Sequence, residues 1–352
     1  MSDGNCIFID EINLSHNIEL ISKQIFPKKL YIVCKSNNYG LGNSIVSLFK
    51  KNEKYIDGYC VSDIEEAIQL RNYGISKPIV ILGIVRMSTD ADKISRFNLE
   101  FVIPNLDFCK ALKPEFLGRG HLAIDVGLGR IGISSKNDLK KIISWVKEHE
   151  IKFKGIYTHH SSNNIETIKK ECEIFNKYTL NRQEIANSYH SGSSSSVFSG
   201  LIEGDIYRVG AAIFGMHQNS SIIQTKSVAK LCSRIAFLKK VIKGQSIGYE
   251  SIFICPSNGW IANIPLGYGD GFSSRMKNAE VQIGNKIGII ACVCMNQTMI
   301  FLKEEPQLNE EVTIVGIENI CRNNLSDIVK HLGINNDEFF CQLGSKILRK
   351  VR

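Results

Sequence analysis

The sequence predicts an α/β protein, with an N-terminal (β/α)8 TIM barrel followed by a mostly β C-terminal domain. Three observations predict it. Eight apolar, strand-like runs follow one another from Leu30 to Phe214, with helical stretches between most of them. Alternation at that period implies a parallel sheet, and eight units imply a closed barrel. The polar motifs of this half fall just after strands, at the ends where such barrels build sites. Beyond about Met216 the long helical patterns give way to short β-like runs separated by turn residues. The expected boundaries are 10–218 for the barrel and 219–352, with the N-terminal strand 1–9, for the β domain.

In order, Cys6 to Asp10 reads as a strand, and Leu14, Ile18 and Ile21 mark a helix over Asn13 to Ile25. The eight barrel runs begin at Leu30 (LYIVC), Gly58 (GYCVS), Ile79 (IVILGI), Glu100 (EFVI), His121 (HLAIDV), Phe153 (FKGIYT), Tyr189 (YHSGSSSS) and Tyr207. Asp63 is placed to cap IEEAIQLRNYG. Leu139, Ile142, Ile143 and Val146 form one face of a helix over Asn137 to Glu148, and Ile165, Ile168, Cys172 and Phe175 mark another. The β domain shows runs at Val228 to Val241, Ile261 to Pro265, Ala279 to Ile283, Ile287 to Val293, Met299 to Leu302 and Glu311 to Val315. A helical pattern returns at Asn324 to Leu332.

Composition narrows the function classes. The net charge of +8 comes from lysines spread along 352 residues, with no dense basic block and interleaved aromatics. Nucleic acid is therefore not an expected partner, while an anionic small ligand is favoured. No run approaches the ~20 apolar residues of a membrane span. The N-terminus lacks the pattern of a secretory signal. The eleven cysteines are scattered and form no C-x-x-C pair, which reads as free buried thiols in a cytoplasmic protein, with no metal site.

Several residues carry possible chemistry. Lys35 ends a buried strand. Burial lowers a lysine's pKa towards the nucleophilic free amine that forms a Schiff base with a carbonyl cofactor; the plain alternative is a strand-end lysine reaching for water. Gly127, Gly129 and Gly132 match G-x-G-x-x-G, but the helical pattern begins only after Ser135 and no acid stands at a second strand end. A dinucleotide site is thus a decoy reading. His159 and His160 point to opposite sides of a strand end. The serines Ser193 to Ser196 suit a phosphate, or a flexible linker. Tyr268, between two glycines, suits a turn.

Segments in a fixed order resemble the alanine racemase family. Val33 to Gly42 (VCKSNNYGLG) is similar to V-x-K-A-N-A-Y-G-H-G, and Ala123 to Gly132 (AIDVGLGRIG) to K-x-D-T-G-M-x-R-x-G. GIYTHHSS is similar to G-x-x-T-H-F, HSGSSSS to H-x-A-N-S-A, and DIYRVGAAIFG to R-x-G-I-A-M-Y-G. IPLGYGDGF resembles P-x-G-Y-A-D-G, and VCMNQ resembles V-C-M-D-Q. The C-terminal EFFCQLGSKILRKVR matches more loosely.

The resemblance implies a pyridoxal-phosphate-dependent isomerase that interconverts L- and D-alanine with two bases. It makes Lys35 the cofactor lysine and one base. Tyr268, entering from the partner of a homodimer with shared sites, is the other. Arg130 and the Met295 N–H would hold the substrate carboxylate. Tyr39, Ser193, Ser194, Gly210, Ala211 and Ser345 would surround the phosphate, with His159 at the ring and Arg208 on the pyridine nitrogen. The chain departs from the family at Ala123, where a carbamylated lysine is usual, at Asn296, and at Ser345, where a tyrosine is usual. Ser345 leaves room for a polar side chain, so serine is a second expected substrate. A non-catalytic pyridoxal-phosphate-binding protein and a fold-related decarboxylase are the remaining alternatives.

Overall fold

In the computed structural model, residues 4–180, 182–201, 204–216, 222–317 and 321–352 are described. Strand β1 (Cys6–Ile9) comes first. The barrel follows with β2 (Lys29–Val33), β3 (Gly58–Val61), β4 (Ile79–Ile81) and β5 (Glu100–Ile103). It continues with β6 (Gly120–Ala123), β7 (Gly155–Tyr157), β8 (Tyr189–His190) and β9 (Ile206–Val209). These eight strands are parallel, in the order β8-β7-β6-β5-β4-β3-β2-β9. A parallel bridge from Gly192 to Tyr207 closes the ring. The runs are nearly all apolar because a parallel barrel buries both faces of each strand. The fold class is the one the alternation predicts.

The connecting helices start where capping chemistry allows. The Asp63 carboxylate accepts the Glu66 N–H at 2.9 Å, and Ser135 and Asn164 cap Lys136–Glu148 and Ile165–Tyr178. Met87–Arg96 is a helix that the pattern did not reveal. Its apolar stripe is only three residues, Met87, Ala91 and Ile94, of which Ile94 alone is fully buried. The serine run, expected as a loop, is the short helix Ser194–Ser199 with Ser193 at its N-cap.

The β domain is a nine-stranded sheet that includes β1. β1 pairs antiparallel with Ala229–Arg234 and parallel with the final strand Leu348–Val351. The chain therefore starts and ends in this sheet and passes through the barrel between. The final strand was not legible, since none of its residues is fully buried. Apolar packing runs continuously from the barrel into the sheet. All eleven cysteines are free thiols. No helix among the described residues is long and apolar enough to cross a membrane.

Candidate functional site

The C-terminal ends of β2, β6, β7, β8 and β9 meet at the mouth of the barrel. Half-buried Lys35 follows β2 and starts an unusual turn. Ser36, Asn37, Asn38 and Tyr39 all have φ between 53° and 57°, the left-handed region. That conformation costs roughly 1–2 kcal/mol per non-glycine residue, so the surroundings must hold it. Asn38 Nδ2 donates to Gly42 O at 3.2 Å and Asn43 Oδ1 at 3.1 Å, and Glu66 Oε1 accepts the Asn37 N–H at 3.0 Å. Arg349 Nε donates to Gly40 O at 3.1 Å while its other nitrogens bond Leu343 O, Gly344 O and Ile347 O. The tail of the chain thus clamps the lysine turn.

The turn drives the Tyr39 ring inward, where its centroid lies 5.1 Å from that of Phe214. Burial holds its hydroxyl above the ordinary phenol range. A Cβ on Gly210 would stand 2.1 Å from Tyr39 Oη, so only glycine allows this approach. Ser194 Oγ accepts the Ala212 N–H at 3.4 Å, and Ser193 Oγ lies 3.4 Å from Ser196 Oγ. Tyr39, Gly210, Ala212 and Ser194 thereby bring hydroxyls and backbone N–H groups to one small cradle.

Arg208 is 4% exposed. Its Nη1 donates to His190 Nδ1 at 2.7 Å and His190 O at 3.0 Å, and its Nη2 to Thr158 O at 2.5 Å. Three of five N–H donors are used, leaving two for a ligand. Its guanidinium also lies 5.1 Å from the centre of the Tyr157 ring. The hydroxyls of Thr158 and Ser191, at the ends of the same strands, are buried without a hydrogen-bond partner.

His159 opens on the mouth. The atoms crowded around the ring, then Arg208, Arg130 and Lys35, push its pKa below the ordinary range. The residue is nevertheless exposed to solvent at the mouth, which screens both effects and lessens the shift without reversing its direction. His160 points away, as strand alternation requires. Its Nδ1 lies 3.2 Å from Glu171 Oε2, and Glu171 also accepts from Ser161.

Arg130 is exposed, on a loop that Asp125 Oδ1 holds by accepting the N–H groups of Gly127 (2.9 Å) and Gly129 (3.1 Å). The loop opens no helix; the next begins at Lys136. This is why the glycine pattern makes no dinucleotide site. Ala123 is packed with Val102, Tyr157 and Ile131. Among the described residues no carboxylate pairs with Arg130.

Tyr268 and Met295 lie on the β domain, 50% and 57% exposed. Their backbones are locked together. Tyr268 N–H donates to Cys294 O at 3.0 Å and Gly269 N–H to Met295 O at 2.8 Å. A Cβ on Gly267 would meet Met295 O at 2.4 Å, so the glycines around Tyr268 are required by close packing. Gly344 N–H donates to Asp270 O at 2.9 Å, which places the exposed Ser345 turn beside this loop. Among the described residues no hydrogen bond joins Ser345 to the cradle. Sequence reasoning missed His190, Thr158 and Arg349. His190 stood inside a recognised motif, but nothing in its spacing pointed to Arg208.

A family model described as the alanine racemase N-terminal domain matches residues 9–218, and one described as the C-terminal domain matches 228–351. An alanine racemase of Lactococcus lactis subsp. cremoris (strain SK11) is 29% identical over 356 residues, covering 97% of this chain and 96% of that protein. A lysine racemase of Oenococcus oeni (strain ATCC BAA-331 / PSU-1) is 30% identical over 345 residues, 92% of this chain and 91% of that one. The crystal structure of alanine racemase from E. faecalis superposes with a TM-score of 0.90 at 26% identity, covering 99% of this chain and 98% of that chain.

Proposed function

The chain belongs to the alanine racemase family, and from that premise we propose that it is a pyridoxal-phosphate-dependent alanine racemase acting as a cytoplasmic homodimer. The observation that carries this reading is the approach of Tyr39 Oη to Gly210 on the turn that begins with Lys35. An amine and a polar cradle of hydroxyls and backbone N–H groups then share one barrel mouth. The unpaired hydroxyls of Thr158 and Ser191 and the spare donors of Arg208 fit a polar ring beside it.

When bound, pyridoxal phosphate supplies the electron withdrawal that lets a substrate α-proton leave. The protein's own residues do the rest. Lys35 Nζ holds the cofactor and moves a proton on one face of the substrate. Tyr268 of the partner subunit moves one on the opposite face, which inversion requires. Arg130 and the Met295 N–H hold the carboxylate. Arg208 cannot give up its proton, so it would leave a ring nitrogen held against it unprotonated, which would suppress side reactions such as transamination. Tyr39, Ser193, Ser194, Gly210 and Ala211 hold the phosphate.

Alanine is the first substrate. Serine is the second reading, because Ser345 presents a small hydroxyl in place of a ring, and the match to a lysine racemase makes a longer side chain worth testing. The purified protein, supplied with pyridoxal phosphate, is incubated with L-alanine, L-serine and L-lysine, and D-isomers are resolved by chiral chromatography. Alanine is expected to be fastest, and borohydride is expected to fix the cofactor on the Lys35 peptide. Absence of every D-isomer, or labelling elsewhere, overturns the reading.

A further inference from the structure

Four buried polar side chains run down the inside of the barrel as one hydrogen-bonded line. Arg208 Nη1 meets His190 Nδ1 at 2.7 Å. His190 Nε2 meets His121 Nδ1 at 3.0 Å, and His121 Nε2 meets Glu100 Oε2 at 2.9 Å. His121 and His190 are each 1% exposed. They stand on β6 and β8 and reach each other across β7, where Gly155 leaves the space. A Cβ there would lie 2.5 Å from His121 Nδ1. Glu100 starts β5, and Lys154 just precedes β7, its Nζ 3.3 Å from Glu100 Oε1. Both line a cavity of about 490 Å³ at the end of the barrel opposite the mouth.

The direction of every proton in this line follows from its two ends. A guanidinium can only donate, so His190 Nδ1 accepts and His190 Nε2 carries the hydrogen. His121 Nδ1 must then accept and His121 Nε2 must donate. A carboxylate can only accept, so Glu100 closes the line with no conflict. Burial and the neighbouring Arg208 keep His190 neutral. Without an acceptor at residue 100, His121 loses the bond that selects its tautomer. The other tautomer would set an N–H of His190 against an N–H of Arg208.

We propose that Glu100 is a positioning residue: acting through His121 and His190, it fixes the histidine tautomers that hold Arg208 at the cofactor ring. This rests on the racemase reading only for what Arg208 faces; the line itself belongs to the protein without substrate.

The test uses the holoenzyme with 15N-labelled histidine, in the wild type and in Glu100→Gln and Glu100→Met. Glutamine keeps an acceptor oxygen and methionine does not. In the wild type and Glu100→Gln, His121 and His190 are expected as single Nε2–H tautomers by NMR. In Glu100→Met, one of them is expected to become a mixture, kcat to fall about tenfold and KM to stay within about twofold. Two results overturn the proposal: an Nδ1–H tautomer at either histidine of the wild type, or Glu100→Met matching the wild type in both tautomers and kcat. The wild-type spectrum can overturn the proposal even if the methionine variant does not fold. It also separates this inference from the racemase reading, which fails on the wild-type assay alone.

Discussion

The two halves of the candidate site are built in opposite ways. In the barrel half, the polar side chains are held by strand ends and by each other, and Arg208 is only 4% exposed. In the β-domain half, the backbone is locked by glycine packing against Cys294 and Met295, while the side chains of Tyr268 and Met295 stand half exposed. A buried cationic group needs partners, because an unpaired one costs several kcal/mol, and Arg208 finds its own at the ends of β7 and β8 of the same chain. An exposed phenol on a rigid loop has no such need and is free to serve a site built by another chain. The contrast matters for the proposed shared-site dimer, which requires the barrel half to be complete within one subunit and the exposed half to serve its neighbour.

The largest predicted effect tests the barrel half. Lys35→Ala is expected to lower kcat by more than ~10⁴-fold and to abolish borohydride fixation, because the amine is both anchor and base. Tyr268→Phe is expected to lower kcat by ~10²–10⁴-fold with an unchanged melting temperature. Mixing these two inactive chains sharpens the comparison. If Tyr268 works in the partner's site, refolding them together in equal amounts restores about a quarter of wild-type activity, since random pairing leaves one intact site in each mixed dimer. No recovery would mean that each chain uses its own tyrosine.

Smaller effects address the cradle. Gly210→Ala places a methyl group against Tyr39 Oη and is expected to weaken cofactor binding by ~1–3 kcal/mol, or ~5–150-fold in Kd, read by absorbance titration. Tyr39→Phe is expected to weaken it by ~1 kcal/mol, one hydrogen bond's worth. The smallest effect is on pH dependence. His190 is held neutral by burial, so its folded pKa lies below its unfolded one. As pH falls below ~6.5, only the unfolded chain takes up that proton, and stability falls by at most ~1.4 kcal/mol per pH unit. Melting temperatures from pH 8 to pH 5 should decline, and less steeply for His190→Gln.

Much of the barrel was legible because parallel strands buried on both faces are almost uniformly apolar and end in polar motifs. Lys35, His159 and Ser194 stand just past barrel strands and Arg208 within the last one, but it was the ordered resemblance to the alanine racemase motifs that picked them out from other polar residues at strand ends. Met87–Arg96 was not read because its stripe is just Met87, Ala91 and Ile94 among polar and charged residues. The serine run misled for the related reason that hydroxyls favour caps, turns and loops alike. Arg349 was hidden because its partners are four carbonyls, which any residue type supplies.

By itself the sequence determined the barrel, the change to a β domain, and which chemical groups stand at the strand ends. These depend on local pattern: apolar period, caps and glycines that tolerate close packing. Only the tertiary structure decided which groups touch. The left-handed turn after Lys35, the approach of Tyr39 to Gly210, and the line from Arg208 to Glu100 join residues far apart in the chain. Closing the ring brings β5, β6, β8 and β9 around one interior, and no periodicity along the chain encodes a contact made across a barrel.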